Sequence, residues 1–262
     1  MRYGPVIAAY LGQYVKTKLA YRADFLVESF ADLLYQGVSL AFILIVFSQV
    51  PDLDGWNREE VIGIVGYFMV AFALFNCLFT GSWYIRDQYI IEGKLDGVMT
   101  RPVNPLLQIY LEKIELEPLS GAALGLGLLA YARHSLGIEL LWWEPVAFVC
   151  LLAGSVLIYG GVFTALAATG FWAEGRSGVS PLVYNLTGYG RYPVTIYKGV
   201  VRWLLTWLLP FAFVGFYPGA LFLHRFELAH YAGLTPVIGG IVFAAGYWLW
   251  GRGLLRYRGA GS

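Results

Sequence analysis

The sequence predicts an all-α integral membrane protein: six transmembrane helices, an N-terminal interfacial helix, and both termini in the cytoplasm. Three observations carry this. A soluble domain has roughly 25% charged residues, whereas this chain of 262 has 13%, with 58% hydrophobic and 17% aromatic. Apolar runs near the ~20 residues needed to cross a ~30 Å hydrocarbon core recur at about 27–50, 61–83, 114–132, 145–172, 200–223 and 236–251. Lys and Arg then sort by loop. Arg2, Lys16, Lys18 and Arg22, then Arg86, Lys94, Arg101 and Lys113, then Arg176, Arg191, Lys198 and Arg202, and finally Arg252, Arg256 and Arg258 fall on one side. Only Arg58, Arg133 and Arg225 fall on the other. Positive charge is retained on the cytoplasmic side, so both ends face inward. A net charge of +1 excludes the basic patch of a nucleic-acid binder.

In residues 1–24, apolar side chains at Val6, Ile7, Tyr10, Leu11, Tyr14, Val15 and Leu19 keep near-helical spacing, with Lys16, Lys18 and Arg22 towards the end. That pattern fits a helix lying among lipid headgroups, or the first part of a long bent span. Gly12, Gln13, Lys16 and Lys18 interrupt it too early for a signal-peptide core, so it reads as mature sequence. In the first span Asp24, Glu28 and Asp32 share one face. They are expected to pair with inner Lys or Arg, or else to line a pathway. Lys113 and Glu117 are four apart and suited to pairing on a helix. Gly121, Gly125 and Gly127 let the third span pack closely. Pro210 and Pro218 interrupt the fifth region, as proline can where neighbours satisfy the freed carbonyls. Trp56, Trp83, Trp142, Trp143, Trp172 and Trp248 mark span ends.

Cys77 and Cys150 sit in apolar runs and read as packing residues. His224, Glu227 and His230 lie at three-residue intervals, a spacing more open than a zinc hydrolase's His pair, and read as an exposed short helix. No catalytic grouping of Ser, His, Asp or Cys emerges, and no Gly-x-x-x-x-Gly-Lys-Ser/Thr phosphate loop occurs.

The loop after the second span, 84–106, is the polar exception. Ile85, Tyr89 and Leu95 can lie against the bilayer while Arg86, Asp87, Glu92, Lys94 and Asp96 face the cytosol. Gly93 permits a turn, and Arg101-Pro102 with Asn104-Pro105 stiffens the return, because residues before proline avoid helical dihedrals. Such a surface can receive force from another protein, or can be a solvated loop whose prolines start the next helix.

Two stretches, "EGKLDGVMTRPVNPLLQIY" from Glu92 and "RYPVTIYKGVVRWLLTWLLPFAFVGFYPGALFL" from Arg191, resemble the permease subunits of type-2 ABC exporters, the ABC-2 family. The first supplies Gly93, Leu95, Asp96, Arg101, Pro102, Asn104, Pro105 and Leu106. The second supplies Tyr192, Pro193, Ile196, Tyr197, Pro210, Phe211, Phe213, Tyr217 and Pro218. The resemblance implies an ABC-2 type exporter fold in a cell (inner) membrane, and a coupling helix in 84–106 that sits in a groove of a separate cytosolic ABC ATPase. Contact is expected at Arg86, Asp87, Glu92, Gly93, Lys94, Leu95 and Asp96, continuing to Arg101 and Pro102. It also implies a second permease, the same chain or a related one, with membrane lipids around the pair. The permease itself is non-catalytic and holds no cofactor; ATP and Mg belong to the partner ATPase. The segment around Pro210, Phe211, Phe213, Tyr217 and Pro218, preceded by Tyr192 and Pro193, is expected to dip from the outer side and shape a gate, or to be a kinked span. The rival function is a self-contained carrier or channel without an ATPase, which would show charges or broken helices at mid-membrane in corresponding halves.

Overall fold

The computed structural model describes residues 3–172 and 179–257, so Arg2, Arg176 and Arg258 lie outside the described residues. Helices α1 (Tyr3–Ala20) and α2 (Arg22–Phe47) are separated at Tyr21, whose φ of −111° and ψ of 44° break the helical run. A polar tether holds α1 in place: Tyr14 Oη accepts the Leu116 N–H at 2.8 Å and donates to Glu117 at 3.0 Å, and Lys18 pairs with the same carboxylate. Helix α3 (Arg58–Phe79) starts at a capping box, Asn57 Oδ1 accepting the Glu60 N–H while Glu60 accepts the Asn57 N–H. Two of its orphan N-terminal donors are thereby satisfied.

The remaining elements are α4 (Gly81–Tyr84), a π-helical stretch (Ile85–Ile91), α5 (Lys94–Met99), α6 (Pro105–Glu112), α7 (Leu119–Ser135) and α8 (Glu144–Ala168), prolonged by a 3₁₀ turn to Phe171. Then come α9 (Val179–Thr187), 3₁₀ turns at Gly188–Arg191 and Val194–Ile196, α10 (Gly199–Trp203) with a π continuation (Leu204–Leu208), a 3₁₀ turn (Phe211–Phe213), α11 (Phe216–Phe222) and α12 (Ala229–Leu254). No strand occurs among the described residues, and the chain is an all-α multi-pass membrane protein. Four helical stretches are long and apolar enough to cross a membrane, Arg22–Phe47, Arg58–Phe79, Glu144–Phe171 and Phe226–Leu254; the pair Gly199–Leu208 and Phe211–Phe222, bent by 65°, makes a fifth if it is one span.

The bundle is built on α3, which is buried along almost its whole length. Its partners are α7, antiparallel, and α8, whose parallel neighbour is α12. Aromatic rings fill the centre: Phe75 meets Tyr159 and Phe163, and Tyr159 meets Phe211 edge-on. Buried hydroxyls find partners there, Tyr67 with Ser155 and Tyr110 with Thr164.

Backbones approach wherever glycines face one another. A Cβ on Gly66 would lie 2.6 Å from the Gly125 carbonyl, and one on Gly161 would lie 2.6 Å from the backbone of Phe243. Gly161→Ala is therefore expected to push α8 from α12 and destabilise by about 1–3 kcal/mol, the usual cost of overpacking. Gly240→Ala, with nothing within 4 Å of its Cβ, is expected to leave the thermal unfolding midpoint unchanged. Gly127 also has open space around it, so of the three glycines expected to pack, only Gly121 and Gly125 do.

Several further expectations are corrected. The chain leaves the helix after Glu112 and resumes it only at Leu119 behind Pro118. Lys113 and Glu117 consequently share no helix; Lys113 sits 4.4 Å over the Tyr84 ring, while Glu117 is taken by Lys18. Glu28 pairs with Lys18 at 3.6 Å, but Asp32 meets Ser120 and, among the described residues, no cation. Trp56, two residues before α3 begins, is buried against Phe216 and Arg225 and does not present its ring outward. Arg191, counted with the inner loops, is buried with its guanidinium 5.1 Å from the Phe68 ring, halfway along α3. Its Nε donates to the Gly188 carbonyl at 3.0 Å, and that ring and carbonyl substitute for water.

Candidate functional site: the 84–106 segment and the bent pair

Two neighbouring irregularities organise the 84–106 segment. The run α3–α4 continues into the π-helical stretch, whose wider turn brings Ile85, Arg86 and Tyr89 inward together. Gly93 then takes φ +78°, a left-handed conformation that costs glycine nothing, and turns the chain into α5. Asn104 closes the segment, its Oδ1 accepting the Leu107 N–H at 3.2 Å with Pro105 at the first helical position of α6.

The result is a two-faced helix. Leu95, fully buried, and Val98 anchor α5 in the core beside Tyr89 and Ile85, while Glu92, Lys94, Gly97, Met99, Arg101 and Pro102 are exposed. Lys94 Nζ reaches Glu92 at 3.3 Å and Gln88 Oε1 at 3.3 Å. Such exposed pairs contribute little stability, which leaves these charges available to a partner. The segment is also braced from three sides. Arg101 donates to Tyr10 of α1 at 3.1 Å, Asn104 donates to Tyr247 of α12 at 2.8 Å, and Tyr89 donates to Glu112 at the end of α6 at 3.1 Å. Beyond α12, burial together with the Asp96 carboxylate pushes the Tyr257 phenol up to about 12.

The expected arrangement is corrected at four residues. Arg86 is only 8% exposed and turns towards Thr169 instead of the cytosol. Ile85, Tyr89 and Leu95 pack into the protein core, not against lipid. The cause is the π register, which the alternation of apolar and charged residues does not encode. Asp87 and Asp96 are half-buried, leaving Glu92, Lys94, Arg101 and Pro102 as the exposed members of the expected contact set.

The second group gathers where the bent pair breaks. Pro210, with no N–H to donate, separates the π stretch from the Phe211–Phe213 turn. Phe211, Phe213 and Pro218 are buried; the Phe213 carbonyl accepts from Ser155 at 3.4 Å and Thr235 at 3.3 Å. Tyr217 stacks on Tyr231 of α12 at 4.9 Å. Tyr192 and Pro193 lie on the preceding strip, Tyr192 lining an apolar cavity with Phe47, Leu53 and Val61.

Two ion clusters hold the far end of α11. Glu144, 1% exposed, accepts from Arg133 at 2.8 Å and meets His224 Nε2 at 2.9 Å, while Arg133 also donates to the Phe222 carbonyl at 2.9 Å. Arg225 pairs with Glu60 at 2.6 Å and stacks over Trp56. Sequence reasoning left Arg133, His224 and Arg225 as loop residues. Their signal was a carboxylate at the head of each of two spans, Glu60 and Glu144, opposite those loop cations.

A family model described as ABC-2 family transporter protein matches residues 33–261. No curated protein and no solved structure matches the chain. The match runs from within α2 through α12 and takes in both groups of residues described above, so the chain belongs to the ABC-2 family of transporter proteins and is a membrane permease component of an ABC transporter.

Proposed function

We propose that this permease is the transmembrane half of an ATP-driven exporter, working as a dimer with an equal or related permease and driven through α5 by separate cytosolic ATPases. The observation that carries the reading is the build of α5: an exposed polar face on a helix whose opposite face, Leu95 and Val98, is locked in the core. Closure of an ATPase dimer on ATP and Mg would press on Glu92, Lys94, Gly97 and Arg101. The push passes through Tyr89 into the α3–α4 run, through Asn104 to Tyr247 on α12, and through Arg101 to Tyr10 on α1. The permease itself performs no bond chemistry in this reading.

The same proposal sets the topology: six crossings of a cell (inner) membrane with both termini inside. Contacts along α3 favour a revised fifth crossing. Tyr184 meets Phe72 and Trp83, Arg191 meets Phe68, and Tyr192 and Tyr197 line one cavity with Val61, so the chain climbs the bundle between 179 and 197, which moves Lys198 and Arg202 from the inner to the outer side. Gly199–Phe222 then forms the outer bent element, its break at the level of Phe68 and its end fixed at Glu60 and Glu144. Its role is an outer gate.

Affinity purification from native membranes in mild detergent, with mass spectrometry of the co-purifying chains, tests the assembly. A stoichiometric ATPase carrying a phosphate loop is the expected result. Recovery of the chain alone, or only with itself across several detergents, contradicts the proposal and favours the self-contained carrier.

A further inference from the structure

A cavity of about 290 Å³ lies between α2, α3, the linker before α7, and α9. Its polar wall carries two carboxylates, Asp32 and Glu115, and two side-chain amides, Gln36 and Asn76. Asp32 receives a hydrogen bond from Ser120 at 3.3 Å and pairs with no cation among the described residues. Lys18 is taken by Glu117 and Lys113 by the Tyr84 ring. Gln36 is the second and independent observation. It is 6% exposed, it lines the cavity, and its amide has no hydrogen-bond partner among the described residues. Its amide therefore faces the open space of the cavity, where a bound group can hydrogen-bond to it.

Most of the rest of the wall is aromatic, Tyr35, Phe72, Trp83, Tyr84 and Tyr184, with Ala73, Thr80 and Pro118 between them. Ring faces attract cations, and the two carboxylates repel anions. No cluster of three or more His, Cys, Asp or Glu residues suited to a metal ion exists among the described residues. A ligand that bonds to the Gln36 amide oxygen as well must carry hydrogen-bond donors, and an ammonium supplies several together with the charge that suits the carboxylates.

We propose that this cavity binds a protonated amine with an aromatic or alkyl body, its ammonium donating to Asp32 and to the Gln36 amide oxygen while the body lies among the rings. That this amine is the cargo rests on the permease reading. Binding itself is a property of this chain alone.

The test is equilibrium dialysis of labelled phenethylamine against the full-length protein in lipid nanodiscs, with empty nanodiscs subtracted. Expected is saturable binding at one site per chain. The neutral 2-phenylethanol and the anionic 3-phenylpropanoate should compete at least tenfold more weakly. Asp32→Asn should weaken binding tenfold or more, and Gln36→Leu severalfold. No saturable binding above empty nanodiscs, equal competition by 2-phenylethanol, or wild-type affinity in Asp32→Asn would each overturn the proposal. Should Asp32→Asn fail to fold, the competition series on the wild type decides alone. Because no ATPase is present, failure here leaves the ATPase assembly untouched, and absence of an ATPase leaves the binding result standing.

Discussion

Gly97→Arg is expected to remove the ATPase from the purified complex, lowering its recovery at least tenfold, while the thermal unfolding midpoint of the permease stays within a degree or so of the wild type. Gly97 sits on the exposed face of α5, and a Cβ built there meets nothing within 4 Å. It does not need a left-handed conformation, since that role falls to Gly93 alone in this segment. The replacement thus costs the isolated chain nothing, and exchanging glycine for a better helix former favours α5 slightly. A long side chain at the centre of a docked surface, by contrast, holds the two proteins apart. Retained ATPase would place the docking surface elsewhere on the permease. Glu92 and Asp96, the more obvious targets by charge, are less clean: Glu92 pairs with Lys94, and Asp96 acts on Tyr257.

Glu144→Ala is expected to destabilise the permease by about 3–5 kcal/mol, the range for removing one partner of a buried ion pair. At about 2–4 °C per kcal/mol, the unfolding midpoint should fall by on the order of 10 °C. Glu144 joins Arg133 at the end of α7 to His224 beyond α11, so its loss frees three elements at once and strands a half-buried guanidinium. Glu139→Ala is the control, because Arg133 uses only the backbone carbonyl of that residue. Equal midpoints for the two variants would show that this cluster does not hold the end of α11 in place.

Sequence made the helical membrane class legible through composition and run length alone. It also marked the turn at Gly93 and the return at Asn104-Pro105, both local signals, while a helix between them came only from the family resemblance. What it missed depends on register or on partners remote in the chain. The π stretch at Ile85–Ile91 rotates Arg86 inward, and nothing in the alternation of residues 84–96 announces that extra residue per turn. Arg191 was counted as a loop cation because its partners, the Phe68 ring and the Gly188 carbonyl, are invisible to a charge count. Gln36 continues the four-residue spacing of Asp24, Glu28 and Asp32, yet an uncharged amide does not stand out in an apolar span until its cavity is seen.

The most direct measurement is photo-cross-linking from the face of α5 in intact native membranes. Gly97→Cys carrying a benzophenone probe is irradiated, and the products are identified by mass spectrometry. The account predicts a dominant adduct to an ATPase subunit that contains a phosphate loop. Adducts confined to lipid or to a second copy of this chain, with the ATPase expressed in the same membranes, would contradict it.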